Sequence, residues 1–498
     1  MIDAAKVIKN LVFGLFGLIV LFLFLLSVFY TCTVSSDEIL SSQKDSPFLH
    51  LFFLSAVCLA GVLAFRKFHF SINPKIYYLV LGICLLFMVG STRLWPKGDA
   101  YLLQEIAKHI AEGNYQDFFP EGYLYNQPHQ IPFAYVCAIF YSVFGEGFVF
   151  VLQGLNCLFL VGIVALLRKI YEKLNGAVPS DGFYLLSLLF VPFFLYATFV
   201  YGTLPGLFLV LAGCLQLMKY LECKRYKNAA GAILFAVAAN LLKNNYLIFA
   251  VAFAAVLLYD FIRKINFRHI AVMLVLAAAL AASGRMVTVF TEHLTGVHSK
   301  GGIPAVLFAA MGLQEGTLGP GWWSGYHTMV FVNTGCDVER STEIGMEDLR
   351  KSLQKMKEDP AYGADFMLRK ISSQWSEPTY ESIWIQQNRT SAKEVFWPFR
   401  SLFFGGGSLA GIYLFYCNLF QSAFYFFLLF FVAGKWKKIT AQELILPVVF
   451  IGGFLFHIVW EAKGQYTLPY CICLLPMCVW GYGFAIKKLD GIKAAVKK

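Results

Sequence analysis

Leu11–Tyr30 is a run of twenty residues without one charged side chain. At about 1.5 Å rise per residue, a helix of about twenty residues crosses the hydrocarbon core of a bilayer. Further apolar runs follow at about 48–65, 76–92, 148–167, 183–201, 204–220, 229–242, 246–260, 269–288, 409–433, 443–460 and 466–486. They belong to a chain of 498 residues that is 58% hydrophobic and only 14% charged. Water-soluble chains carry roughly 25% charged residues, and with fewer a surface of this size would expose large apolar patches. An ordinary cytosolic enzyme and a disordered protein are thereby excluded. The expected fold class is an all-α integral membrane protein with about twelve transmembrane helices.

Charge sets the expected orientation. Lys6 and Lys9 precede the first run as they would in a signal peptide, but the apolar stretch is too long and no A-x-A site follows, so it reads as a retained span. Basic clusters recur at alternate connections: Arg66/Lys67/Lys75, Arg168/Lys169/Lys173, Lys219/Lys224/Arg225/Lys227, Arg263/Lys264/Arg268, Lys435/Lys437/Lys438 and a tail from Lys487. The positive-inside rule makes these cytoplasmic, with both termini inside a multi-pass plasma-membrane protein. Ile131–Phe144 is then interfacial on the outer side, because a span there would invert every later cluster. On this topology 23 of the 41 Lys and Arg and 7 of the 30 acids face inward, so the net charge of +11 reports orientation and not a nucleic-acid surface.

The same reading divides the chain into three spans (1–92), a first outer loop (93–147), a six-helix core (148–290), a long outer loop (291–400) and three last spans with a basic tail (401–498). The long loop mixes Gly-rich turns at Gly316–Gly325 with a charged helical stretch at Met346–Glu358. Most of the twelve cysteines sit in apolar runs, where Cys acts as a small hydrophobe. Cys336 is alone in its loop. The sequence has no zinc spacing, Walker A or GxGxxG signature.

Chemistry concentrates in the first outer loop. Asp99 stands where it would N-cap a helix over about 100–112, with Gly113 as its stop. Leu103, Ile106 and Ile110 then form an apolar face that can lie on the bilayer. Asp99 is either that cap or a carboxylate base held at the membrane surface, where a lipid-borne substrate meets a water-borne one. Lys108 and Glu112, four apart, are expected to pair.

After Asp99 come Glu121-Gly122-Tyr123-Leu124-Tyr125-Asn126-Gln127-Pro128-His129-Gln130 and an apolar stretch ending Phe144-Gly145. This order resembles the GT-C type glycosyltransferases that use polyprenyl-phosphate sugars, the family of protein O-mannosyltransferases and the aminoarabinose transferase of lipid A, and above all its Gram-positive branch. Met311-Gly312-Leu313, Gly321-Trp322-Trp323 and Gln374-Trp375-Ser376-Glu377-Pro378 resemble signatures of that branch's long outer loop. Glu461-Ala462-Lys463-Gly464-Gln465-Tyr466 with Leu468-Pro469 is similar to its late Glu…Arg-Tyr…Pro pattern. Two positions depart from the family: Asp99 is followed by Ala100 where a second acid is common, and Gln465 replaces the late Arg.

The resemblance implies transfer of a sugar from a polyprenyl-phosphate donor to an acceptor hydroxyl on an envelope glycan, lipid or protein, on the outer face, with inverting attack. Asp99 would be the base. Tyr125, His129, Gln130, Trp375, Glu461, Lys463 and Tyr466 would contact substrate. Some relatives use a divalent metal and others none, so a metal stays open. Among cations, Lys243 in Lys243-Asn244-Asn245 is either a snorkelling lysine or a contact for the lipid phosphate. Arg285 is an interfacial anchor or a phosphate contact. Lys463 either pairs with Glu461 or serves the site. Apart from the resemblance, His129 reads as satisfying the loop backbone, and the tryptophans read equally as an interfacial belt. The competing functions are a transporter or flippase of an amphiphile and a non-catalytic scaffold of the same fold.

Overall fold

The computed structural model describes residues 2–35, 38–67, 71–175, 180–388, 394–404 and 407–496, with side chains for all of these except 2–3, 65–67, 180 and 492–496. The predicted Arg66 and Lys67 side chains and the end of the basic tail fall outside that description. The chain is an all-α, multi-pass membrane protein. Among the described residues eight helical segments are long and apolar enough to cross a membrane, from Ala4–Phe29 to Ser408–Lys435. Two further runs are bent pairs: Asp181–Leu188 with Val191–Thr198 at 71°, and Gly464–Cys473 with Leu475–Gly491 at 57°. Pro192 and Pro476 lack the amide that would bond four residues back, which breaks each helix there. The last two runs, Tyr226–Leu242 and Ile445–Val459, are shorter apolar helices.

Of the two apolar runs that flank Lys243, only the first forms a short helix, Tyr226–Leu242. Asn244–Lys264 is 21 residues, long enough to span. The polar break is a 3-10 turn, Asn244–Tyr246, entered from Lys243 in extended backbone.

Pro128–Lys173 is a mostly apolar helical stretch of 46 residues, yet it does not run straight. Helices Ile131–Phe144 and Phe148–Lys173 are separated at Gly145, whose φ is 53°. Gln130 donates to the Tyr201 hydroxyl at 2.7 Å, and Gln153 donates to the Thr198 carbonyl at 2.9 Å. A straight helix would hold residues 130 and 153 about 35 Å apart. Both reach the same short segment, so the chain folds back at Gly145.

Helix Asp99–Ala111 corrects three sequence expectations. Its N-cap is Gly98 at φ 61°, and no side chain caps it, so Asp99 is the first helical residue and its carboxylate is free of capping. Leu103 and Ile106 are fully buried, and they pack in one cluster with Ala134, Cys137 and Ala138 of the helix Ile131–Phe144. The stripe therefore meets protein, while Ile139 and Val143 on the second helix stay exposed. Lys108 pairs with Glu146 at 2.9 Å and Glu105 at 3.5 Å rather than with Glu112.

The long segment from 291 to 400 is folded. It holds helices Ala305–Gly312, Tyr326–Asn333, Val338–Glu358 and Pro360–Trp375, so the charged helix starts earlier than its composition suggests, capped by Asp337 on the Arg340 amide at 3.0 Å. Two antiparallel strands, Leu94–Pro96 and Gln386–Asn388, tie its end to the segment that follows the third span. The Lys97 amide extends that pairing to the Ile385 carbonyl at 2.9 Å. A hairpin, Tyr30–Val34 with Leu40–Lys44, follows the first span and is held by the Cys32 amide on the Ser376 carbonyl at 3.1 Å.

Candidate active site

These ties close a cavity of about 1100 Å³ whose two ends differ in chemistry. One end is apolar, walled by Leu247, Ile248, Val251 and Ala255 on one helix and Val448, Ile451 and Phe456 on another. The other is polar and charged, with Glu38, Lys97, Asp99, Lys243, Glu381, Glu461 and Lys463.

Helix Asp99–Ala111 points its first carboxylate into the polar end. Tyr123, from the one-turn helix Tyr123–Asn126, sits beside it together with Tyr201. The Tyr123 hydroxyl is buried without a bond of full hydrogen-bond geometry. Burial pushes the Asp99 carboxyl above its ordinary range, while Lys463, Tyr123 and Lys243 act against that shift and Glu38 adds to it. A carboxylate tuned upward and free of helix capping suits proton abstraction.

Lys243 reaches the same space from the connection between two spans. Its ammonium lies 2.9 Å from the Thr203 hydroxyl and 4.2 Å from the centre of the Tyr201 ring. No carboxylate forms an ion pair with it among the described residues. Burial therefore pushes it down to about 7, with Asp99 the opposing influence. An unpaired cation at that depth is costly unless a ligand supplies the counter-charge.

Lys463 differs. It pairs with Glu38 at 3.0 Å, not with its neighbour Glu461 as the sequence suggested. Burial alone would lower it, but Glu381, Glu461 and Glu38 together hold it above the ordinary lysine range. Glu381 accepts the Gly464 amide at 2.7 Å and the Gln465 amide at 3.4 Å. Lys463 is thus the counter-charge of an acidic group, whereas Lys243 donates to Thr203 and has no carboxylate ion-pair partner among the described residues.

Glu461 is 8% exposed. Burial raises its carboxyl to about 7; Lys463 opposes this, and Asp99, Glu38 and Glu381 reinforce it. Tyr466 stacks on His457 with ring centres 5.7 Å apart. His129 and Gln130 line the same cavity at the foot of the fold-back helix. Asp99, His129, Gln130, Lys243, Glu461, Lys463 and Tyr466 therefore converge, although they come from three distant parts of the chain.

Three sequence candidates lie elsewhere. Tyr125 packs its ring against Phe331, 6.5 Å between centres, in a separate apolar cluster with Ile303 and Leu307. Trp375 is 1% exposed, wedged among Phe450, Phe454 and Tyr470. Arg285 is exposed on Arg268–Thr295, the least buried of the spans. None of the three lines the cavity. Conversely, sequence reading missed Glu38, Lys97, Tyr201, Glu381 and Trp384 as lining residues. Glu381 lies four residues after the Glu377 of a motif already singled out, and Glu38 sits in a hairpin without any motif.

Among the described residues no group of three or more His, Cys, Asp or Glu side chains is arranged to hold a metal ion.

No family model and no curated protein matches the chain. Among solved structures, the chain is similar to the crystal structure of the Archaeoglobus fulgidus oligosaccharyltransferase in the apo form, with 12% identity and a TM-score of 0.41 over 87% of this chain and 52% of that one. The chain spans about half the length of that protein.

Proposed function

We propose that the protein is a membrane glycosyltransferase of GT-C type that moves a sugar from a polyprenyl-phosphate donor to an acceptor hydroxyl on the outer face of a bacterial plasma membrane. The observation that carries this reading is the joint presence of Asp99 and a Lys243 without an ion-paired carboxylate in one cavity that is charged at one end and apolar at the other. An isoprenoid chain suits the apolar walls, and the phosphosugar suits the charged end.

Chemically, the acceptor hydroxyl loses its proton to Asp99 and its oxygen bonds to the anomeric carbon. The bond from that carbon to the phosphate oxygen breaks, and the electron pair leaves on the lipid phosphate, where Lys243 meets the charge. His129, Gln130 and Tyr466 contact the bound sugar or acceptor. Lys463 holds the acidic side of the site together.

The test is Asp99→Asn in purified full-length protein with a radiolabelled polyprenyl-phosphate sugar. Transfer is expected to fall by about 10²–10⁴ with the melting temperature unchanged, because Asp99 caps nothing. Full activity in the variant, or vesicle transport of the lipid without transfer, sinks the assignment.

A further inference from the structure

Glu461 stands out among the acids of the cavity. Glu38 is paired to Lys463, and Glu381 accepts two backbone amides. Asp99 is assigned to the acceptor proton. No hydrogen bond or ion pair reaches the Glu461 carboxylate among the described residues, although the residue is only 8% exposed and lines the cavity. Its backbone is fixed on both sides. The Trp460 carbonyl accepts from the buried Lys370 ammonium at 2.8 Å, and the Ala462 amide donates to the Gly321 carbonyl at 2.8 Å. A carboxylate fixed this rigidly in the cavity wall, with no protein donor on it, keeps its acceptor positions open to a ligand.

The charges around it say which ligand. The groups that act on Glu461 are Lys463, Asp99, Glu38 and Glu381, and the more distant Lys370. Three carboxylates and one nearby ammonium make this part of the cavity repel negative charge. It accepts hydrogen-bond donors, and two oxygens on one carboxylate suit a pair of adjacent hydroxyls.

We infer that Glu461 reads the hydroxyls of the donor's sugar, and that the sugar is a polyhydroxylated one without negative charge, not a uronic acid or a phosphorylated sugar. This rests on the glycosyl-transfer reading above and deepens it. Lys243 then takes the phosphate and Glu461 the sugar, so the two ends of one donor headgroup are recognised by opposite charges.

The test uses the full chain in detergent and two probes, polyprenyl-phosphate glucose and polyprenyl-phosphate glucuronate. Binding is read from quenching of tryptophan fluorescence, since Trp323, Trp384 and Trp460 line the cavity. The wild type is expected to bind the glucose lipid at least about tenfold more tightly. Glu461→Gln should weaken the glucose lipid and narrow the gap to about threefold or less, while Asp99→Asn loses transfer and still binds the glucose lipid more tightly than the glucuronate lipid. If Glu461→Gln does not melt cooperatively, Glu461→Asp replaces it and should show an intermediate gap. Equal binding of both lipids by the wild type, or an unchanged gap in the folded variant, overturns the inference alone. Failure of both lipids to bind overturns the donor assignment with it.

Discussion

The Lys463 ammonium lies 3.0 Å from the Glu38 carboxylate, joining residues 425 positions apart. The contact fastens the hairpin after the first span to the entry of the last one. Because Glu381 and Glu461 also act on Lys463, removing the ammonium strands three carboxylates in a confined space. Lys463→Met is therefore expected to destabilise by about 3–5 kcal/mol. Glu38→Gln removes one acid of the three and should cost far less. Thermal unfolding in detergent compares them, and equal melting temperatures count against this account.

Activity should depend on pH on both sides of neutrality. Asp99 must be ionised to take a proton, and burial raises its carboxyl, so the acid limb lies above that of an ordinary aspartate. Lys243 must be protonated to meet the phosphate, and burial lowers it to about 7, so transfer declines as pH rises through that value. Lys243→Arg keeps its charge at high pH and should move the alkaline limb upward. The measurement is kcat/KM against pH in wild type and variant. A wild-type rate that stays flat well above neutrality contradicts the assignment of Lys243.

Trp375 and Arg285 supply a negative control. Trp375→Ala opens a hole among Phe450, Phe454 and Tyr470 and should cost about 3–5 kcal/mol. Trp375→Phe keeps most of that packing and should leave the donor KM unchanged. Arg285→Gln, on an exposed face, should leave transfer within about twofold. A donor KM that rises sharply in Arg285→Gln would return that residue to the site.

These outcomes follow from how much of the molecule the sequence discloses. Helix positions are legible because each span buries or exposes a continuous apolar run, and the period of such a run survives any packing. The bends at Pro192 and Pro476 were missed because hydropathy alone does not register a lost amide. Asp99 could be singled out by its place after the third span, but its role as the first helical residue depends on Gly98 at φ 61°, which composition does not signal. Glu38 and Lys463 could not be paired from sequence, since nothing local links a hairpin to a loop 425 residues away. Trp375 illustrates the reverse: a motif tryptophan looks the same in sequence whether it meets sugar or, as here, three aromatic rings.

Lys370 gives the final prediction. Its buried ammonium donates to the carbonyls of Gly312 and Trp460, and burial lowers it to about 7. It is the pin between the long segment from 291 to 400 and the stretch of chain that carries Glu461. Space there is tight, since a Cβ on Gly312 would lie 2.1 Å from the Val459 carbonyl oxygen. Lys370→Met keeps the side-chain volume but leaves both carbonyls without their donor, which costs about 1–3 kcal/mol for each such group. The melting temperature should fall, and the donor KM should rise as Glu461 loses its fixed backbone, while kcat changes much less because Asp99 is held by a different helix. A kcat loss as large as the KM change would place Lys370 in the chemistry and refute its role as a pin.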